Sequence, residues 1–326
     1  MLSVSLSADG RDTAEAFAAK VAAGEAAGAA QIWLANHLFQ RDPVALAARV
    51  LGTTGRMRIA LMAMSPFTVH PVQAAMAAAT LDEFYPGRVT LCFGVGAPAD
   101  LDSVGIAAAK PLRPMREALE IARRLLAGET VSSEGETFRV RERSLATGCR
   151  RVPIVLAASG PQMLELAGGA ADGVLISAAA SVEFVRWCMD HVRRGAAGRK
   201  VRACGVVYAS VGAGREEANA RLQRMLAITL RGAHHRMNLE LAGTRLDQEA
   251  WRAAVARNDW EAAQALITED VVRRHAASGD PAEVRSKFAE YHAAGLDEIV
   301  IGGAREGAQI AALLAAVQPV PQRGVP

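Results

Sequence analysis

The apolar run Ile32-Trp33-Leu34-Ala35 ends abruptly in Asn36-His37, an amide and an imidazole side by side where a strand would leave a sheet. Imidazole exchanges a proton near neutral pH, so His37 is the candidate catalytic group. Other apolar runs end in glycine or small hydroxyls. Ser65 and Thr68 follow 57–63, Gly94-Val95-Gly96 follows 88–93, Ser159-Gly160-Pro161 follows 152–157, and Ser177 ends 173–177. This set contains no acidic pair for glycoside hydrolysis and no His, Asp and Glu cluster at metal-ligand spacing. Glycine, hydroxyl, amide and imidazole together suit a flat, polar, phosphate-bearing ligand lying close to backbone.

A phosphate would find its best partner where a glycine turn opens a helix, because unpaired amides and the positive end of the helix dipole then face it. Ala157-Ala158-Ser159-Gly160-Pro161 has that form, and Gly302-Gly303 ahead of the last helix is a rival cup of the kind many barrels use. Local sequence leaves both open. Gly94-Val95-Gly96-Ala97-Pro98-Ala99 matches G-x-G-x-x-A, but Pro98 and Asp100-Leu101-Asp102 read as a break before any helix, against a dinucleotide fingerprint. A glycine-lined strand end on which a ring rests is the better account. His70, before the helix-opening Pro71, reads as a loop or cap residue; Cys92 reads as a buried small hydrophobe; His234-His235 lacks nearby acidic ligands, against a metal there.

These groups need a scaffold that brings strand ends to one rim. Eight strand-like runs alternate with helical patterns: 2–7, 32–37, 57–63, 88–93, 152–157, 173–177, 201–208 and 298–301. Helices are expected at about 13–28, 43–52, from Pro71, 111–127, from Gly160-Pro161, 181–195, from Asp280-Pro281 and 305–316, with a loop-rich stretch at 129–150. The spacing predicts a (β/α)8 TIM barrel in one domain, residues 1–317, with a helical insertion at about 209–280 between strands 7 and 8 and a flexible tail at 318–326. Barrel chemistry gathers at the carboxyl ends of the strands, which is where the groups above fall.

Composition narrows the field. The 326 residues are 51% hydrophobic and carry 37 Lys+Arg against 34 Asp+Glu with no basic tract, which excludes wholesale disorder and argues against nucleic acid. Four scattered cysteines, Cys92, Cys149, Cys188 and Cys204, form no C-x-x-C, so reduced thiols are expected. Strand-like alternation at residues 1–6 and the absence of a long apolar run point to a cytoplasmic protein without a membrane span.

Ser65-Pro66-Phe67-Thr68-Val69-His70-Pro71, then 78–88, then Phe93-Gly94-Val95-Gly96 resemble the bacterial-luciferase-like oxidoreductases, in the branch of methylenetetrahydromethanopterin reductase. Leu125-Leu126-Ala127-Gly128-Glu129-Thr130, Val152-Pro153-Ile154 to Pro161, 164–174 and Gly279-Asp280-Pro281 follow in the family's order, with 233–275 the least matched part. The resemblance implies a (β/α)8 barrel using FMN or coenzyme F420 for hydride transfer or monooxygenation of a small organic substrate. It also implies a homodimer, with a flavin reductase as a partner for an FMN-using member. With this resemblance the cofactor is expected at Asn36, Met62, Ala63, Ser65, Gly94, Gly96, Ser159, Gly160, Pro161 and Ser177, its ring in the mouth with His37 facing it, and Gly160-Pro161 match the family's phosphate-side turn. Family members often carry a non-prolyl cis peptide that here falls around Leu61 to Ala63. Two departures stand out: Asn36 replaces the family's aspartate, and Ala97-Pro98-Ala99 stands where sugar-phosphate and alcohol dehydrogenases have a glutamate. Those two substrates are disfavoured. The competing readings are a non-catalytic flavin-binding homologue and a cofactor-free phosphate-sugar enzyme using Gly302-Gly303.

Overall fold

A computed structural model describes residues 2–212 and 214–317, so the tail expected at 318–326 lies outside the described residues. Its strands are β1 Ser3–Ala8, β2 Gln31–Ala35, β3 Arg58–Met64, β4 Val89–Phe93, β5 Val131–Glu134, β6 Arg139–Arg143, β7 Ile154–Ala158, β8 Gly173–Ile176, β9 Arg202–Val211, β10 Ala277–Gly279 and β11 Glu298–Gly302. Parallel pairing runs β1-β2-β3-β4-β7-β8-β9-β11 and returns to β1, which closes an eight-stranded barrel. Each strand feeds a helix that packs outside, as a right-handed β-helix-β crossover requires.

Period-two alternation sorts the side chains. On β2, Ile32 and Leu34 face outward into the layer between barrel and helices, while Trp33 faces inward. One inward layer is built strand by strand from Trp33, Ala60, Cys92, Val155, Leu175, Cys204, Val206 and Val300. Cys92, Cys188 and Cys204 are buried, which pushes their thiols up and makes them inert packing groups; Cys149 is exposed, and all four are unpaired. Beneath that layer the fully buried Glu298 accepts from Trp33 Nε1 at 2.9 Å, from Arg202 Nη2 at 2.6 Å and from Ser5 Oγ. Four strands are thereby tied at the barrel's amino-terminal end, the face that reads as stability in such folds.

Three features depart from the sequence reading. The stretch at 129–150 contains an antiparallel hairpin, β5 with β6, whose outer residues are mostly charged, while Val131, Phe138 and Val140 sink into the core. A three-residue strand, β10, extends the sheet beside the end of β9. Finally, Pro98–Ser103 forms a six-residue helix directly after Gly94-Val95-Gly96-Ala97, where a break was expected. Pro98 at its first position loses no hydrogen bond there. The barrel topology still excludes a Rossmann half, so the dinucleotide reading gains nothing from this helix.

The insertion between β9 and β10 has its own apolar centre, with Leu222, Leu226, Leu230, Leu239, Ile267, Val271 and Val272 buried together. It grips the barrel through the loop after β8. Asn238 accepts from Ser181 N at 2.8 Å and donates to Ala179 O at 2.7 Å, and His275 Nδ1 lies 2.9 Å from the same carbonyl; from the barrel helix Pro281–Ala293, Tyr291 donates to Ala180 O at 2.7 Å. Ala179 sits at φ +59°, so a strained loop is held from three sides. Burial holds His275 down to about 4 and His235, with His234 and His275 beside it, down to about 3. Arg274 also lowers His275, while Glu183 and the Ala179 carbonyl oppose the shift.

Both folded values lie below the free imidazole value, so this stability is present above about pH 6.5 and is lost as pH falls towards them. Acidification from pH 7 to 5.5 is expected to remove stability on the order of 2 kcal/mol through these two groups. Urea midpoints against pH measure it. His275→Gln should halve the slope between pH 6.5 and 5, and an unchanged slope would contradict the assignment.

Candidate functional site

Five consecutive barrel strands, β2, β3, β4, β7 and β8, carry every expected site residue at or just past their carboxyl ends. The structure therefore brings together along one arc Asn36 and His37, Met62, Ala63 and Ser65, Gly94 and Gly96, Ser159, Gly160 and Pro161, and Ser177. Gly302-Gly303 stands on the opposite side, between β9 and β1.

The arc's floor is made of the smallest side chains. A Cβ placed on Gly94 would lie 2.8 Å from Ala63 Cβ and 3.2 Å from Ala157 Cβ, so β3, β4 and β7 meet as an Ala-Gly-Ala surface without relief. The peptide between Met62 and Ala63 is cis, at the place the resemblance implied. Asn36 attends to this segment: its backbone N–H reaches Met62 O at 2.5 Å and its side-chain amide donates to Ala63 O at 3.4 Å. A carboxylate has no proton to donate there, so the departure from aspartate has a structural use. Ser65 is buried and donates its hydroxyl to Val95 O at 2.6 Å while accepting from Phe67 N. Its role is thus to tie the β3 and β4 loops together, beside Gly96 at φ +99°.

At the β7 end the backbone opens. Gly160 is the N-cap of the helix Pro161–Ala170, with no side chain capping it, and a Cβ added there would meet nothing within 4 Å. The first-turn amides of Gln162 and Met163 are left without a side-chain acceptor, and the dipole of a ten-residue helix adds to their pull on an anion. Ser159 and Ser177 are partly exposed at this rim, and their hydroxyls make no hydrogen bond among the described residues. The rival cup is filled instead. A Cβ on Gly302 would strike the Tyr208 ring at 2.7 Å, one on Gly303 the Met225 sulfur at 2.9 Å, and the following helix starts only at Gly307.

His37 sits two-fifths exposed, with Nδ1 3.0 Å from Asp100 Oδ2. Asp100 lies in the first turn of Pro98–Ser103 and was missed in the sequence because that helix was missed. The available signal was a carboxylate within one turn of a proline that follows the β4 glycines. His70 is a cap, as expected: its Nδ1 accepts from Val72 N at 3.2 Å, and burial holds it below the usual imidazole range. His234 and His235 belong to the insertion's packing against His275, away from the arc.

The comparisons with known proteins agree with this geometry. Residues 3–298 match the family model for luciferase-like monooxygenases. The chain is 28% identical over 279 residues to 5,10-methylenetetrahydromethanopterin reductase from Archaeoglobus fulgidus, covering 83% of this chain and 84% of that one. In fold it is similar to the coenzyme F420 dependent tetrahydromethanopterin reductase of Methanopyrus kandleri, with a TM-score of 0.87 at 22% identity and 97% coverage of both chains. It is also similar to the FMN-bound oxygenating constituent of 3,6-diketocamphane monooxygenase from Pseudomonas putida, with a TM-score of 0.67 at 16% identity and 97% coverage of both. A model match over most of the length, on a barrel whose strand ends gather the expected residues, shows that this chain belongs to the luciferase-like monooxygenase family of oxidoreductases.

Proposed function

We propose that this oxidoreductase holds a phosphorylated flavin-type cofactor, coenzyme F420 or FMN, along the β3-β4-β7-β8 arc and passes a hydride to or from a small organic substrate. The observation that carries the reading is the Ala63-Gly94-Ala157 floor leading to an uncapped helix start, which fits a planar ring with an anionic tail. The reductase relative at 28% identity favours hydride transfer over oxygen activation, and the F420-dependent glucose-6-phosphate dehydrogenase relative at 27% identity favours F420 over FMN.

When bound, such a cofactor supplies two-electron transfer, and in the case of FMN also oxygen activation. The chain supplies orientation. Met62, Ala63, Gly94 and Gly96 lie where the ring rests, Asn36 fixes the segment under it, and Ser65 holds the two loops in register. Ser159, Ser177 and the amides of Gln162 and Met163 lie where the phosphate is held. His37 handles the proton at the ring's edge, close to the substrate. The cofactor-free reading is less supported, because Tyr208 and Met225 pack closely against Gly302-Gly303.

Titration of the purified protein with F420 and with FMN, followed by cofactor fluorescence and calorimetry, tests the proposal. Binding of at least one is expected, and binding of neither would remove it. Binding without turnover across a broad substrate panel would instead support the non-catalytic reading. A sharper outcome concerns Gly160, whose extended backbone (φ −97°) accepts a side chain. Gly160→Asp should add a helix cap worth a few tenths of a kcal/mol of stability, yet weaken cofactor binding by about tenfold or more by placing a carboxylate where the phosphate belongs. Thermal melts and calorimetry on one preparation read both signs, and unaltered affinity would move the phosphate elsewhere.

A further inference from the structure

Position 36 carries an amide that donates to Ala63 O, so the carboxylate for His37 must come from another element. It does. The helix Pro98–Ser103 begins off the β4 glycines and presents Asp100 across the rim, its Oδ2 3.0 Å from His37 Nδ1. The helix is set in place by its own turn, with Asp100 N bonding to Ala97 O at 3.0 Å and Ser103 Oγ donating to Asp100 O at 2.6 Å. An ionised carboxylate only accepts hydrogen bonds, so the ring nitrogen facing it carries the proton. In a neutral imidazole the other nitrogen is then bare. His37 Nε2 meets no hydrogen-bond partner among the described residues, and the side chain remains 39% exposed at the mouth.

We propose that Asp100 is a positioning residue that fixes His37 as the Nδ1–H tautomer and so makes Nε2 the proton acceptor of the site. This deepens the oxidoreductase reading above and rests on it. A bound hydride-accepting cofactor would take two electrons and one proton of the substrate's oxidation, and the second proton, from a substrate O–H or N–H, would pass to His37 Nε2. The resulting imidazolium has its positive charge beside the Asp100 carboxylate; in the reducing direction the same proton returns. Asp100 thus supports a charge that exists only while the proton is held, the arrangement by which a carboxylate orients a base and stabilises its protonated form.

The test needs neither cofactor nor substrate. Protein labelled with 15N in its histidine rings is examined by NMR at pH 8.5, where imidazoles of ordinary basicity are neutral, and the His37 signals are assigned by their loss in His37→Gln. The wild type should show protonated Nδ1 and bare Nε2. Asp100→Ala should move the proton to Nε2, the form free imidazole side chains prefer, and near-ultraviolet circular dichroism should stay unchanged. Protonated Nε2 in the wild type, or a tautomer indifferent to Asp100→Ala, would overturn the proposal. Should neither F420 nor FMN bind, the oxidoreductase reading fails while the tautomer result still stands, so the two failures are distinguishable.

Discussion

Replacing Gly94 with valine is expected to weaken binding of either cofactor by at least about 100-fold while leaving the barrel folded. A Cβ at this position already falls 2.8 Å from Ala63 Cβ, closer than real Cβ atoms come, and 3.2 Å from Ala157 Cβ, tighter than nearly all such contacts. Two further methyl groups must then find room beside Ala63 and Ala157, on the floor where the proposed ring would lie. Overpacking of this kind costs about 1–3 kcal/mol in the protein itself, so the fold survives. The affinity loss is a separate effect, since an excluded ring forfeits its whole contact with the floor. Calorimetry with F420 and FMN measures it against the wild type, with far-ultraviolet circular dichroism as the check on folding. Affinity within about threefold of wild type would place the ring off the floor.

The second large effect lies at the other end of the barrel. Glu298→Ala should lower stability by about 3–5 kcal/mol, because it strands buried donors rather than merely deleting a contact. Trp33 Nε1 and Ser5 Oγ would lose their acceptor inside the barrel, and Arg202 would lose its partner at 2.6 Å. Arg202 is 39% exposed and can turn to water, whereas the Trp33 indole cannot. Glu298→Gln keeps an acceptor for the indole and should therefore cost less than the alanine variant. Urea unfolding at pH 7.5 compares the two by their midpoints at a common slope. A loss below about 1 kcal/mol for the alanine variant would show that the network contributes little beyond burial.

The barrel was legible because period-two and period-3.6 patterns alternate along the whole chain, and each inward residue of the apolar layer that seven strands share, from Trp33 to Val300, lies in an unbroken apolar run. What sequence concealed lacks such a pattern. The hairpin Val131–Arg143 carries Arg139, Arg141, Glu142 and Arg143 on water-facing positions, so its charge reads as loop. Ala277–Gly279 is too short for alternation to register and exists through its pairing with Ala209, Ser210 and Val211.

The site divides the same way. Glycines and hydroxyls at strand ends announce themselves, because a parallel strand must stop in a polar loop, and so Gly94, Ser159, Gly160 and Ser177 could be named in advance. Asp100 could not, since its meaning depends on a six-residue helix that only tertiary packing sustains; isolated helices that short do not persist in water. Ser65 illustrates the opposite limit. Its residue type suits a ligand, but the loop geometry commits its hydroxyl to Val95 O. Local sequence leaves Gly160 and Gly302-Gly303 open and the resemblance favours Gly160; what sequence conceals is that Tyr208 and Met225 pack against the second pair from elements far along the chain.

The most direct measurement is a crystal structure of the protein soaked with F420 or FMN. The ring should lie flat over Ala63, Gly94 and Ala157, with the nearest phosphate within hydrogen-bond reach of the amides after Pro161 and the hydroxyl of Ser159 or Ser177. Density for the phosphate at Gly302-Gly303, or for the ring anywhere off the β3-β4-β7 floor, would contradict the account.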